Sequence, residues 1–132
     1  WHQVSHNIDL WQDEESVNCK ANITFSILNV WDCDRILSHL DRRFGWQHVG
    51  WNWVNSPHWM NAAHMPNAMK EHIESSSTYW RSRQLLPQMW SMTQDNTAWH
   101  KFQTRTAWLD QSRSQPMEKF MPKLNDLLHT YK

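Results

Sequence analysis

Nine histidines, two cysteines and eleven tryptophans are the residues through which this 132-residue chain could do chemistry. His2 and His6 stand at i, i+4, the spacing that lets two imidazoles on a helix share one metal ion. Asp9 and Asp13 continue that face, so His2, His6 and Asp9 are the candidate metal ligands. Val4, Ile8 and Trp11 would form the opposite face and turn inward, leaving the His/Asp stripe in water. An exposed stripe lacks the dry, hydrogen-bonded surroundings that orient ligands in a catalytic centre. The competing reading is a solvated polar face.

Cys19 and Cys33 are spaced for a disulfide that would close a loop of about 15 residues, worth roughly 3 kcal/mol in the chain-entropy account. The sequon Asn22-Ile23-Thr24 lies between them and would accept a glycan in a secreted protein. With a first residue other than Met, these features make a case for secretion. Two separate buried thiols and a chance sequon are the alternative. Cys33, His39 and Asp41 are close in sequence, but a six-residue spacing puts Cys33 and His39 on poorly matched helical faces.

The most unusual segment is residues 44–69, twenty-six positions without one Asp, Glu, Lys or Arg. It carries Trp46, Trp51, Trp53 and Trp59 among His48, His58, His64 and several side-chain amides. Flat aromatics beside uncharged donors and acceptors suit a neutral ligand, a glycan or the side chain of a protein partner. The expected contacts are Trp51, Trp53 and Trp59, with His48 and Asn52 orienting the ligand. On a strand, Trp51 and Trp53 would project from one face about 7 Å apart. Nucleic acid is not expected, because no cation in the segment would meet phosphate. The rival reading places these rings in the core.

Other chemistries are excluded by missing residues. Phosphate-cradling loops and the G-x-S-x-G elbow need several closely spaced glycines, and the chain has only Gly45 and Gly50. There is no CxxC, HExxH, EF-hand loop or haem-attachment motif. No cofactor is expected.

These candidates must be held mainly by helices. A C-terminal stripe of Met117, Phe120, Met121, Leu124, Leu127, Leu128 and Tyr131 follows helical spacing and predicts burial of Phe120, Leu124, Leu127 and Leu128. Pro122 interrupts it, so the helix kinks there or starts near Met121. A second helix is expected over 97–111, capped by Asp95 or Asn96, with Trp99, Phe102, Thr106 and Leu109 on one face. Leu85, Leu86, Met89, Trp90 and Thr93 share another helical face, with Pro87 in its first turn. Asp34 is expected to cap a helix over 35–44 that ends at Gly45, and residues 67–74 follow Pro66 as a shorter one. Ile23, Phe25 and Ile27 alternate with polar residues at the strand period, as do Val49, Trp51 and Trp53, although Val17, Ala21, Phe25 and Leu28 also fit a helical stripe. The expectation is a mainly α, small single-domain assembly over 1–132, with room for a short two-stranded element at about 22–31 and 46–54.

Composition bounds the rest. Thirteen basic residues balance thirteen acidic ones, and the isoelectric point of about 7.3 gives no global attraction for nucleic acid or anionic lipid. A mean hydropathy of −0.83 and the lack of a long apolar run argue against a membrane span. No basic stretch leads into an apolar one, so no signal peptide is expected. Val, Ile, Leu and Phe number only 24, so the expected core leans on aromatic rings and thioethers. Scarce glycine with abundant Trp, His and Met also fits an artificial or randomised sequence without evolved function. The leading reading is a non-catalytic binding module; a small His- or metal-dependent enzyme is the other alternative.

Overall fold

The structure, a computed structural model, describes residues 2–91 and 94–131. The chain is mainly α, with one two-stranded parallel sheet. Its elements are α1 (His2–Gln12), β1 (Ala21–Phe25), α2 (Cys33–Phe44), β2 (Val49–Trp53), α3 (Asn67–Ser76), α4 (Ser82–Leu85), α5 (Asn96–Arg113), α6 (Met117–Phe120) and α7 (Pro122–Thr130). Short 3₁₀ turns join several of them.

β1 pairs with β2 in parallel, with Ala21 opposite Val49, Ile23 opposite Trp51 and Phe25 opposite Trp53. Parallel neighbours need a crossover rather than a hairpin, and α2 supplies it. The scarcity of glycine is therefore no obstacle to this sheet. β1 is shorter than its alternating pattern because Ser26 and Asn29 turn the chain. The Ser26 amide donates to Asn29 Oδ1 at 2.8 Å, and the Asn29 amide group donates to Thr24 O at 3.1 Å. Local polar bonding of this kind competes with a ladder and ends the strand. β2 likewise starts at Val49, since Trp46–His48 is a 3₁₀ turn.

α2 begins two residues earlier than expected, at Cys33 with Asp32 in the cap position. Asp34 caps nothing in its own helix; its carboxylate accepts from the Thr78 and Tyr79 amides at 2.7 and 3.2 Å, tying α2 to the loop before α4. Gly45 ends α2 at φ +80°, a conformation open to glycine and strained for other residues. Asp95 caps α5 as expected, accepting from the Thr97 and Ala98 amides. The face through Leu85, Leu86 and Met89 is buried, but it runs over α4 and a 3₁₀ turn rather than one helix; Thr93 lies outside the described residues.

At the C-terminus the chain breaks at Met121 (φ −138°, ψ 59°), and Pro122 opens α7, where its missing N–H costs nothing. The break interrupts the helical period. Met117, Leu124 and Leu127 are buried and Leu128 is half-buried, whereas Phe120 is 57% exposed, against expectation.

One apolar cluster runs from Phe25 through Leu37, Met69 and Phe102 to Leu124 and Leu127. Thioethers contribute as expected, through Met65, Met69, Met89 and Met117. Tryptophan contributes mostly at the margin: among the described residues Trp99 is the only one buried, while Trp31, Trp51, Trp53 and Trp59 pack half-buried against the cluster.

Candidate functional site

β2 holds Trp51 and Trp53 on one face of the sheet, half-buried, with Asn52 exposed on the other. Both rings are occupied internally. Trp51 stacks on the Arg81 guanidinium, 4.8 Å from its ring centre. Arg81 is itself buried, paired with Asp41, and donates to the carbonyls of Trp46 and Val49. The Tyr79 hydroxyl donates to the other Asp41 oxygen at 2.6 Å, and that hydrogen bond heads the causes that raise its pKa above the ordinary value. Trp53 packs 6.1 Å from Phe25, and its indole N–H donates to Gln88 Oε1 at 2.8 Å. His48 lies elsewhere, half-buried beside Phe44 and the segment around Gln12 and Cys19. The five expected contacts therefore do not converge. Neither does the core alternative hold for the three rings, which are half-buried against the core rather than inside it.

Trp59 is the exception. It sits in the 3₁₀ turn His58–Met60, pinned by the Ile27 amide donating to Met60 O at 2.9 Å. Its ring leans on Phe102 of α5 at 6.4 Å and forms one wall of a cleft of about 210 Å³. Phe102, Thr106 and Leu109 line the α5 side; Met117, Phe120 and Met121 close the far side. Asp110, Arg113 and Gln115 are the polar groups at its edge. The Asp110 carboxylate already accepts from the Met117 amide at 3.0 Å, which starts α6 and holds the cleft wall. The α5 residues were legible as a helical stripe, but the stripe alone reads as core. Trp99 and Phe102 are indeed buried, but Thr106 and Leu109 are only half-covered, and only tertiary packing shows that.

The remaining candidates resolve as follows. Cys19 and Cys33 are both free thiols, Cys19 half-buried and Cys33 buried, so of the two readings the separate thiols hold and the disulfide does not form. Cys33 is buried 3.8 Å from Ser77 Oγ, and burial pushes its thiol pKa up, away from the reactive thiolate. His39 is exposed, while Asp41 is committed to Arg81 and Tyr79, so no Cys–His–Asp arrangement forms. α1 leaves His2, His6 and Asp9 in solvent, as expected, but Val4 and Trp11 are exposed as well; Arg43 donates to Asp9 Oδ1 at 2.7 Å and to Ser5 O at 2.8 Å. Asp9 is thereby taken from His2 and His6. Among the described residues, no group of three or more His, Cys, Asp or Glu is placed to hold a metal ion.

Sequence reasoning missed two polar arrangements. His58 Nε2 lies 3.5 Å from Asp95 Oδ2, and its ring meets that of buried His64 edge-on at 5.2 Å. The Ala98 amide, then that of Thr97 and the His58 side chain, hold the Asp95 carboxyl below its ordinary value. Lys70 is buried and, among the described residues, has no carboxylate partner; it donates to Ala63 O at 2.9 Å and lies 4.5 Å from the Trp90 ring centre. Desolvation lowers its pKa. No sequence spacing announces either arrangement. No protein-family model, curated protein or solved structure matches the chain.

Proposed function

We propose that this protein is a small non-catalytic binding module whose contact centre is the cleft under Trp59. The carrying observation is the half-buried ring of Trp59 sharing a cleft with Thr106 and Leu109 of α5, which are also only half-buried. The volume of about 210 Å³ is below the 300–1,000 Å³ of most small-molecule sites, yet above a cavity of about 150 Å³ that accepts benzene. That size suits one aromatic ring or one branched aliphatic group. Three methionines in the walls can re-form around such a guest, because thioether side chains are unbranched and adaptable. Asp110 and Arg113 offset each other at the edge, so the site favours a neutral guest. Trp51, Trp53, His48 and Asn52 are outside this reading.

Toluene and p-cresol are suitable probes, followed through the indole N–H signals of the ¹⁵N-labelled protein. The Trp59 signal, assigned with Trp59→Phe, should shift saturably. Leu109→Trp fills the cleft from its half-exposed edge and should remove the response while the circular dichroism spectrum stays unchanged. Shifts spread over all the indoles, or unaffected by Leu109→Trp, overturn the proposal.

A further inference from the structure

Among the described residues, α1 contributes nothing to the apolar core, and Ile8 is its only half-buried apolar side chain. It buries no residue, and Val4, Leu10 and Trp11 are 50%, 53% and 56% exposed. Its attachment consists of the Arg43 bonds to Ser5 and Asp9 and one from Gln12 to Arg43 O at 2.9 Å. Isolated helices of this length are marginal in water, and packing of an apolar face is what normally sustains them. Its C-terminal end compounds the problem. No basic residue lies in the last turn, and Asp13, Glu14 and Glu15 follow directly. Carboxylates at the negative end of a helix dipole are unfavourable unless a cation meets them. Among the described residues these three form no ion pair.

The opposite set of properties lies between β1 and α2. Half-buried Ile23, Ile36 and Leu40 floor a groove of about 530 Å³, with Arg35, His39 and Arg42 at its edge. Arg35 is shared with Asp32, whereas Arg42 forms no ion pair among the described residues. An apolar floor with a cationic edge complements an apolar helix that ends in three carboxylates. The cleft under Trp59 shares no residue with this groove.

We propose that α1 of one copy of this chain seats in the β1–α2 groove of a second copy, reciprocally, giving a two-fold dimer. A helix laid into a groove is a recurrent recognition mode, and the exposed Val4 and Trp11, seven residues apart on one face, are its anchors here. Reciprocity follows because each copy offers both surfaces, and closing the pair doubles the apolar contact. Opposite charges across the contact make it salt-sensitive.

Sedimentation equilibrium over about a hundredfold range of protein concentration tests this by mass action. At low ionic strength a monomer–dimer equilibrium is expected, weakening as salt is added. Trp11→Ser and Arg42→Glu alter exposed residues, so both should keep the parent circular dichroism spectrum. Each should raise the dimer Kd by about tenfold or more. Glu14→Lys with Glu15→Lys, added to Arg42→Glu, should restore association. A chain that stays monomeric throughout overturns the proposal, even if a fatty acid or an unrelated acidic helix occupies the groove. So does an open-ended polymer, or a dimer indifferent to Trp11 and Arg42.

Discussion

Arg81 shows how a charged side chain is kept inside a small protein. Its guanidinium has Asp41 on one side, two backbone carbonyls on another and the faces of Trp51 and Trp80 at 4.8 and 5.9 Å. Both partners of the pair are nearly inaccessible, at 6% and 7%. Removing one charge strands the other, at a cost of about 3–5 kcal/mol, whereas replacing both by apolar groups is often nearly neutral. Arg81→Met should therefore lower the stability measured by urea unfolding by that amount. Arg81→Met with Asp41→Leu should recover most of it, and Arg81→Lys little, since an ammonium cannot reproduce the planar fork or its stacking. Nothing in the sequence joins residues 41, 46, 49, 51 and 81; they meet because β2 returns parallel to β1 with α2 packed alongside.

At the level of elements, the instructive failure is the C-terminal stripe. A continuous helix through residues 117–131 would bury Phe120 together with Leu124 and Leu127. Interior proline costs about 3 kcal/mol, so the chain ends one helix and starts another. Phe120 then lies on the outer edge of the Trp59 cleft, while Leu124 is fully buried. Leu124→Ala should cost about 2–5 kcal/mol in thermal or urea unfolding. Phe120→Ala should be nearly neutral to stability and weaken capture of toluene in the cleft. The caps were easier to read. Asp95 before α5 and Gly45 after α2 act where their local chemistry predicts, whereas Asp34 was diverted because the Thr78 and Tyr79 amides offered its carboxylate a better use.

For the whole molecule, buried ionisable groups set how stability responds to pH. Desolvation lowers the Lys70 pKa below its ordinary 10.5, so the unfolded chain binds that proton more tightly. Stability from this group is complete above pH 10.5 and is lost as pH falls toward the folded-state pKa. Cys33 acts in the opposite sense. Its raised pKa gives stability that is complete below the unfolded value of 9.0 and is lost as pH rises through the folded one. The two slopes oppose each other at alkaline pH, so variants must separate them. The stability of Lys70→Met relative to the parent, from urea unfolding, should decline steadily as pH rises toward 10.5. A difference that stays constant with pH would show that Lys70 is freely solvated. In acid, burial works against the Asp34 carboxylate, but the Ser82 hydroxyl and the Thr78 and Tyr79 amides outweigh it and lower its pKa. That contribution is present above about pH 4 and is lost below, as the carboxylate protonates.

Local chemistry and periodicity were enough for the mainly α class and the end of α2 at Gly45; they narrowed the cap of α5 to Asp95 or Asn96 and marked the two alternating segments that became β1 and β2, without separating strand from helix in the first. Each depends on residues within one or two turns of each other. The parallel pairing, the cage around Arg81 and the free state of Cys19 and Cys33 depend on residues far apart in sequence, so tertiary structure decided them. The same holds for the tryptophans. Residues 44–69 stood out by composition, yet composition cannot say which side of a ring faces protein. Packing committed Trp51 to Arg81 and Trp53 to Gln88, and left Trp59 over a cleft. Burial is a property of surfaces brought together, and a one-dimensional pattern records only one of the two.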